Sequence, residues 1–156
     1  MAYLENGGMT INPLTKEVVS IFFLSFKQLS MQIKDDYWTL QHYELDLPEK
    51  WNLSHVILDS NTVKGFVIAS VKGNAIHINR LVVAENAHGK GLGKRLIRLL
   101  IDKCAGYSLN QITLKVNIDN FDSINWYFNQ GFRIVARLAD YFEMKMLIDD
   151  HRNTSA

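Results

Sequence analysis

Apolar residues recur at helical spacing near both ends of this chain and in strand-like runs between. Val18, Ile21, Phe22, Phe26 and Leu29 share one side of a helix that Asn12-Pro13 would open and that would run to about Met31, since asparagine caps and proline suits the first helical position. A second helical piece is expected over Asp36 to Tyr43, with Pro48 ending that region. His55 to Leu58 and Gly65 to Val71 flank the turn-forming tetrad Asp59-Ser60-Asn61-Thr62 and read as a hairpin. Lys72-Gly73-Asn74 turns the chain into a further strand, Ala75 to Val83. A helix follows from Gly91 to about Cys104, with Leu92, Leu96, Leu99 and Leu100 on one side and Lys94, Arg95, Arg98 and Asp102 elsewhere. Gln111 to Ile118 is β-branched and strand-like. Ser123 to Asn129 is a short helix with Gly131 as its C-cap. Phe132 to Arg137 and Phe142 to Leu147 are the last strands, and the tail from Asp149 is expected to fray. Residues 1 to 9 read as a loose terminus or a short edge strand. The order α-α-β-β-β-α-β-α-β-β predicts an α+β (mixed α/β) fold, a mostly antiparallel sheet flanked by helices.

A chain of 156 residues is expected to form one domain over 1–156, because two comfortable cores would need more. Its net charge of +1 gives no broad electrostatic case for nucleic acid or for a membrane surface. Basic residues do gather near positions 90 to 98, which suits a compact anionic ligand better than a polymer. The single cysteine, Cys104, cannot form an internal disulfide and reads as a small core residue in a reducing compartment. Val18 to Phe26 lacks the flanks of a signal peptide and is far short of the ~20 residues that span a bilayer. A cytoplasmic location is expected. His42, His55 and His151 show no paired spacing, so no metal site is expected.

The segment with most chemistry is His88-Gly89-Lys90-Gly91-Leu92-Gly93-Lys94, a turn between strand and helix. Glycines let the backbone approach a ligand closely. A helix start adds unpaired amides and the positive end of the dipole, a ready seat for phosphate. Lys90, Lys94 and Arg95 add formal charge. A P-loop would require Ser or Thr after Gly93-Lys94, where Arg95 stands, and a dinucleotide fingerprint would require G-x-G-x-x-G. A tight turn without a ligand is the remaining alternative.

Two motifs in order resemble the GNAT superfamily of N-acetyltransferases. His88-Gly89-Lys90-Gly91-Leu92-Gly93 is similar to the family's Arg/Gln-x-x-Gly-x-Gly/Ala loop. Asn120 to Phe132 is similar to its Asn-x-x-Ala-x-x-x-Tyr-x-x-x-Gly-Phe segment. His88 and Ser123 depart from the usual residues. The resemblance covers about residues 56 to 147. It implies a GNAT-like acyl-CoA N-acyltransferase fold and transfer from acetyl-CoA, as cosubstrate, to a primary amine of a small molecule or peptide, without a metal. By the same resemblance, His88, Gly89, Lys90, Gly91, Leu92, Gly93 and Lys94 would hold the coenzyme's pyrophosphate. Leu81, Val82 and Val83 would pair with the pantetheine arm as an added strand does, with Asn120 and Ser123 on its other side. A homodimer is common in the family. A coenzyme-binding module without catalysis is the alternative of the same fold.

Amine acetylation needs a route for the amine's proton, donors for the oxyanion and a proton for the leaving thiolate. Tyr127 falls on the family's tyrosine and is the candidate acid; packing into the core is its structural alternative. The oxyanion donor is expected to be a backbone N–H near Leu81 and Val82. His77 falls where some members carry a base, and an unperturbed imidazole pKa of ~6.5 suits that role. A half-buried strand histidine is the alternative, as is a chain of waters. Strand alternation would put His77, Asn79 and Leu81 on one face. Asp35-Asp36 is expected at a helix start, with attraction of a cationic acceptor as the alternative. Phe22, Phe26, Tyr37, Trp38 and Tyr43 read as core or as the border of an acceptor pocket.

Overall fold

The structure, a computed structural model, describes residues 3–5 (as backbone), 8–34 and 36–148. Eight strands, β1 (Tyr3–Glu5), β2 (Met9–Pro13), β3 (His55–Asp59), β4 (Thr62–Lys72), β5 (Ala75–Val83), β6 (Gln111–Asn117), β7 (Arg133–Leu138) and β8 (Tyr141–Leu147), form one sheet in the order β1-β2-β3-β4-β5-β6-β8-β7. Only β5 and β6 run parallel, and α4 (Leu92–Gly106) makes the crossover between them. The mostly antiparallel sheet with flanking helices agrees with expectation. The tail from Asp149 and His151 lie outside the described residues.

Each face of the sheet carries its own core. On one face α4 and α5 (Phe121–Gln130) cover Ile57, Val67, Ile76, Ile78, Ile112, Leu114 and Met144, and Cys104 is buried there as expected. On the other, α1 (Lys16–Ser30) packs Val19 and Phe26 onto Val56, Phe66, Ile68 and Val82. Phe26 and Tyr43 are fully buried, whereas Tyr37 is exposed.

Asn12-Pro13 does not open α1. Both residues extend β2, where Asn12 pairs with Val56 and Pro13 with His55. The next residue's amide, Leu14, bonds the Ser54 carbonyl at 2.9 Å. Proline therefore ends the strand at a rung that needs no N–H. The actual cap is Thr15, whose hydroxyl accepts from the Val18 amide at 3.1 Å. A non-helical Phe22 (φ −108°, ψ 17°) kinks α1, so the apolar stripe expected to be buried is broken and Ile21 is 65% exposed.

Residues 36–39 are not helical. Only α2 (Leu40–Glu44) forms, capped by Thr39 and His42, and α3 (Lys50–Leu53) follows Pro48. Buried Lys50 ties the two together, its Nζ donating at 2.6 Å to the carbonyls of both Tyr43 and Leu45.

Candidate active site between two splayed strands

β5 and β6 are bonded only from Ile76–Ile112 to Ile78–Leu114. Beyond that rung the strands diverge, and Asn79 to Val83 have no neighbour on the β6 side. The cause lies within β5. Ile68 of β4 pairs with Arg80 and Ala69 with Ile78, so Asn79 is an extra residue, a β-bulge that bends the strand. The bulge also shifts the alternation by one. His77 shares its face with Arg80 and Val82, whereas Leu81 turns toward α4 with Ile78. The expected common face for His77, Asn79 and Leu81 is thus corrected.

Ladder bonds alternate in an antiparallel pair. The Ala84 amide bonds the Lys64 carbonyl at 2.8 Å, which directs the amides of Val82 and Arg80 toward β4. Those of Leu81 and Val83 then face the splay. Between the two residues expected to supply an oxyanion donor, Leu81 has the available N–H and Val82 does not.

Parallel β5 and β6 end at the same edge of the sheet, so the turns that follow them meet there, where ligands of such sheets bind. After β5 comes one 3₁₀ turn, Glu85–Ala87, and then the glycine loop. Gly89 (φ +85°) and Gly91 (φ +74°) hold left-handed backbone that a Cβ would strain, with open space around both. Among the described residues, the six amides from Gly89 to Lys94 have no hydrogen-bond acceptor. They span the loop and the start of α4, where Gly91 occupies the cap. Lys90 and Lys94 are exposed beside them. The His88 ring, through Nε2, lies 3.0 Å from the Val83 carbonyl and anchors the loop to β5. Gly93 differs from its neighbours. A Cβ there would stand 2.8 Å from Trp126 Cζ2, so this glycine serves close packing of α4 on α5.

Across the splay, Asn120 caps α5 by accepting from the Ser123 amide at 3.2 Å. Asn120 is exposed and Ser123 half-buried at the end of β6. Tyr127 is buried, its ring edge-on to Trp126 and Phe132. No hydrogen bond of its hydroxyl is present among the described residues. Burial raises its pKa well above the ordinary phenol value, so the group keeps its proton throughout the neutral range.

His77 sits one residue before the splay on the opposite face, its Nδ1 2.9 Å from Thr113 Oγ1. Burial, and then the charges of Lys72 and Lys115, push its pKa down to about 4. Shifted in this direction, the ring is neutral at pH 7 and a weaker base than a free imidazole.

Arg80 was not legible as a site residue, although an arginine inside the apolar run of β5 is a signal. It is buried. Its Nη1 donates to Asp36 Oδ1 at 2.8 Å and lies within 3.4 Å of the Ser30 and Tyr43 hydroxyls, and its guanidinium stacks 4.1 Å from the Trp38 ring. Asp36 also meets Lys27 Nζ at 3.2 Å and the Trp38 amide at 3.1 Å. Burial works to raise the Asp36 pKa, but the bonds from Arg80 and Trp38, with the charge of Arg80, outweigh it and hold the carboxyl below its usual range. Asp36 is a fastener between the α1–α2 loop and β5, not a helix start; Asp35 lies outside the described residues. Among the described residues no cluster of three or more His, Cys, Asp or Glu is suited to a metal ion. Among the described residues no helix is long and apolar enough to cross a membrane.

The sequence profile of one family, described as acetyltransferase (GNAT), matches residues 17–132. The chain belongs to that family. It is 29% identical over 66 residues to N-alpha-acetyltransferase 30 of Saccharomyces cerevisiae, a stretch covering 42% of this chain and 38% of that protein. The chain thus matches well under half of that relative's length. Its fold is similar to Ard1 from Thermoplasma volcanium, with TM-score 0.75, 21% identity and coverage of 91% of this chain and 99% of that one. It is also similar to Arabidopsis thaliana Naa50, solved with the bisubstrate analogue CoA-Ac-MVNAL, with TM-score 0.70, 17% identity and coverage of 88% and 97%.

Proposed function

We propose that this protein transfers the acetyl group of acetyl-CoA to a primary amine, and that the amine is the amino terminus of a peptide. The observation that carries the proposal is the run of six unpartnered amides, Gly89 to Lys94, at the open end of a β5 whose Leu81 and Val83 amides face an empty lane. Amides at a helix start favour a pyrophosphate, and a free strand edge favours the amide-bearing pantetheine arm. Family membership supports the choice of coenzyme. The name of the yeast relative and the peptide in the Naa50 analogue support a peptide acceptor. The lone Cys104, buried in the core, suits a reducing compartment, and we assign the protein to the cytoplasm.

In the reaction the amine nitrogen bonds the acetyl carbon, the carbon–sulfur bond breaks, one amine proton departs and the thiolate gains one. In this reading the Leu81 N–H donates to the oxyanion. Tyr127 holds a proton at its hydroxyl at neutral pH and can give it to the sulfur. His77, neutral but weakly basic, does not supply an efficient base, so the amine proton leaves through water. The weak basicity of His77 also favours a second reading, a coenzyme-binding module without turnover.

One experiment separates these. Calorimetry with acetyl-CoA is paired with thiol release over a panel of peptides and small amines. Binding with thiol release supports transfer, binding without release from any amine supports the module, and no binding overturns both.

A further inference from the structure

The sheet face that carries His77 is uncovered beyond β5. The cluster beneath α1 contains no residue after Val82. On the face left open, a cleft of about 210 Å³ is lined by Lys72, His77, Thr113, Lys115, Glu143 and Lys145. Strand register builds it. His77 stands opposite Thr113, Thr113 opposite Lys145 and Lys115 opposite Glu143. None of the three lysines is in an ion pair among the described residues, and one carboxylate faces three ammonium groups.

We propose that this cleft seats a carboxylate of the acceptor, from an acidic side chain at the second or third residue of the peptide. The inference rests on the acetyl-transfer reading for its geometry. α4 and α5 close one face of the slot between β5 and β6, so an amine reaches it from the other. Lys115 is the first β6 residue beyond the last rung, Ile78–Leu114, and so stands at the mouth of the slot. A peptide whose amino terminus enters there lays its following residues along the open face, at roughly 3.3–3.6 Å per residue. Its second and third side chains pass Lys115, which stands opposite Glu143, on the way to Lys145 beside Thr113.

Burial works against charge on His77, and Lys72 and Lys115 add to the effect. The site thus stays positive without gaining an imidazolium, and a neutral His77, engaged through Nδ1 with Thr113, leaves only Nε2 for the guest. Concave walls between like charges focus the field and raise the local concentration of an opposite charge. Lys72 and Lys115 are exposed and Lys145 half-buried, so salt screens their attraction for an anion.

The test uses two hexapeptides identical except for Glu or Gln at positions two and three. Thiol release is followed with acetyl-CoA for the unaltered protein and for the double variant Lys72→Ala/Lys145→Ala. The expected result is a KM about tenfold lower for the Glu peptide, with similar kcat. That advantage falls below about threefold in the double variant and shrinks as salt rises. Equal KM values, or an advantage untouched by the double variant, would overturn the proposal.

A second measurement does not require turnover. An Nα-acetylated Glu peptide, which cannot react, is titrated while the His77 ring is followed by NMR. The expected result is an upward shift of the His77 titration midpoint, because a nearby anion favours the charged form, and no such shift with the blocked Gln peptide. Binding of the blocked Glu peptide without acetylation of any amine would end the transfer reading and leave the anion site. Acetylation without discrimination would end the anion site and leave the transfer reading.

Discussion

Asp36→Asn removes the charge from a carboxylate that three donors share: Arg80 Nη1 at 2.8 Å, Lys27 Nζ at 3.2 Å and the Trp38 amide at 3.1 Å. The Arg80 and Asp36 side chains are only 7% and 10% exposed, whereas Lys27 is 39% exposed. The Arg80 contact therefore dominates and the Lys27 contact adds little. Removing one partner of a buried ion pair costs about 3–5 kcal/mol. Asparagine keeps an oxygen for the Arg80 and Trp38 donors, which lowers the expected loss to about 2–3 kcal/mol. At about 2–4 °C per kcal/mol for a chain of this size, Tm falls by roughly 4–12 °C. Urea unfolding measures the difference directly, as a midpoint lower by about 1 M with an unchanged slope.

The pH dependence has a fixed sign. The folded pKa of Asp36 lies below the usual carboxylate range, so its contribution is fully present above the unfolded pKa and is lost as pH falls through the folded value. The gap between the two proteins is full from pH 5 to 7, starts to close below about pH 4 and narrows further in stronger acid. A loss under about 0.5 kcal/mol, or a gap that is the same at pH 7 and pH 2, would refute the assignment of Asp36 as the fastener of the α1–α2 loop.

Tyr127→Phe removes a buried hydroxyl that has no hydrogen-bond partner among the described residues, so stability should hold or rise slightly, with coenzyme affinity unchanged. Its rate of acetyl transfer should fall on the order of 100-fold if the hydroxyl is the acid; an undiminished rate in steady-state kinetics would remove that role. Gly91→Asp should lower coenzyme affinity at least tenfold by calorimetry. Like charges about 6 Å apart repel by roughly 0.7 kcal/mol in water and about 3 kcal/mol at an effective dielectric of 20. Gly91→Ala, with open space but φ +74°, should mainly cost about 1–2 kcal/mol of stability. Equal affinities for the two variants would contradict the loop assignment. For His77, whose pKa is about 4, the pH–rate profile of the unaltered protein should show no ionisation near 6.5 that His77→Ala abolishes. A limb lost in that variant would contradict the neutral-imidazole account.

The sequence made β5, the glycine loop, α4, β6 and α5 legible because each carries a local signal. Glycine marks the positive-φ turn at 89 and 91, leucine spacing marks the buried side of α4, and Asn120 and Gly131 mark the two ends of α5. Asn12-Pro13 misled because a cap-like pair is also compatible with the end of a strand, and pairing with β3 decided between them. The bulge at Asn79 has no residue signature, yet it reverses the facing of Leu81 and opens the lane beside β5. Arg80 and Asp36 are 44 positions apart, a separation only the tertiary structure closes. Gly93 has the same residue type as Gly89 and Gly91, and only the Trp126 ring against it reveals a packing role.

In the proposed function the backbone amides of the β5–α4 turn grip the diphosphate of coenzyme A. Amide NMR during a titration with coenzyme A reads this contact. The largest perturbations are expected on Gly89 to Lys94, followed by Leu81 and Val83. Saturable binding that leaves those signals in place and moves others would contradict it.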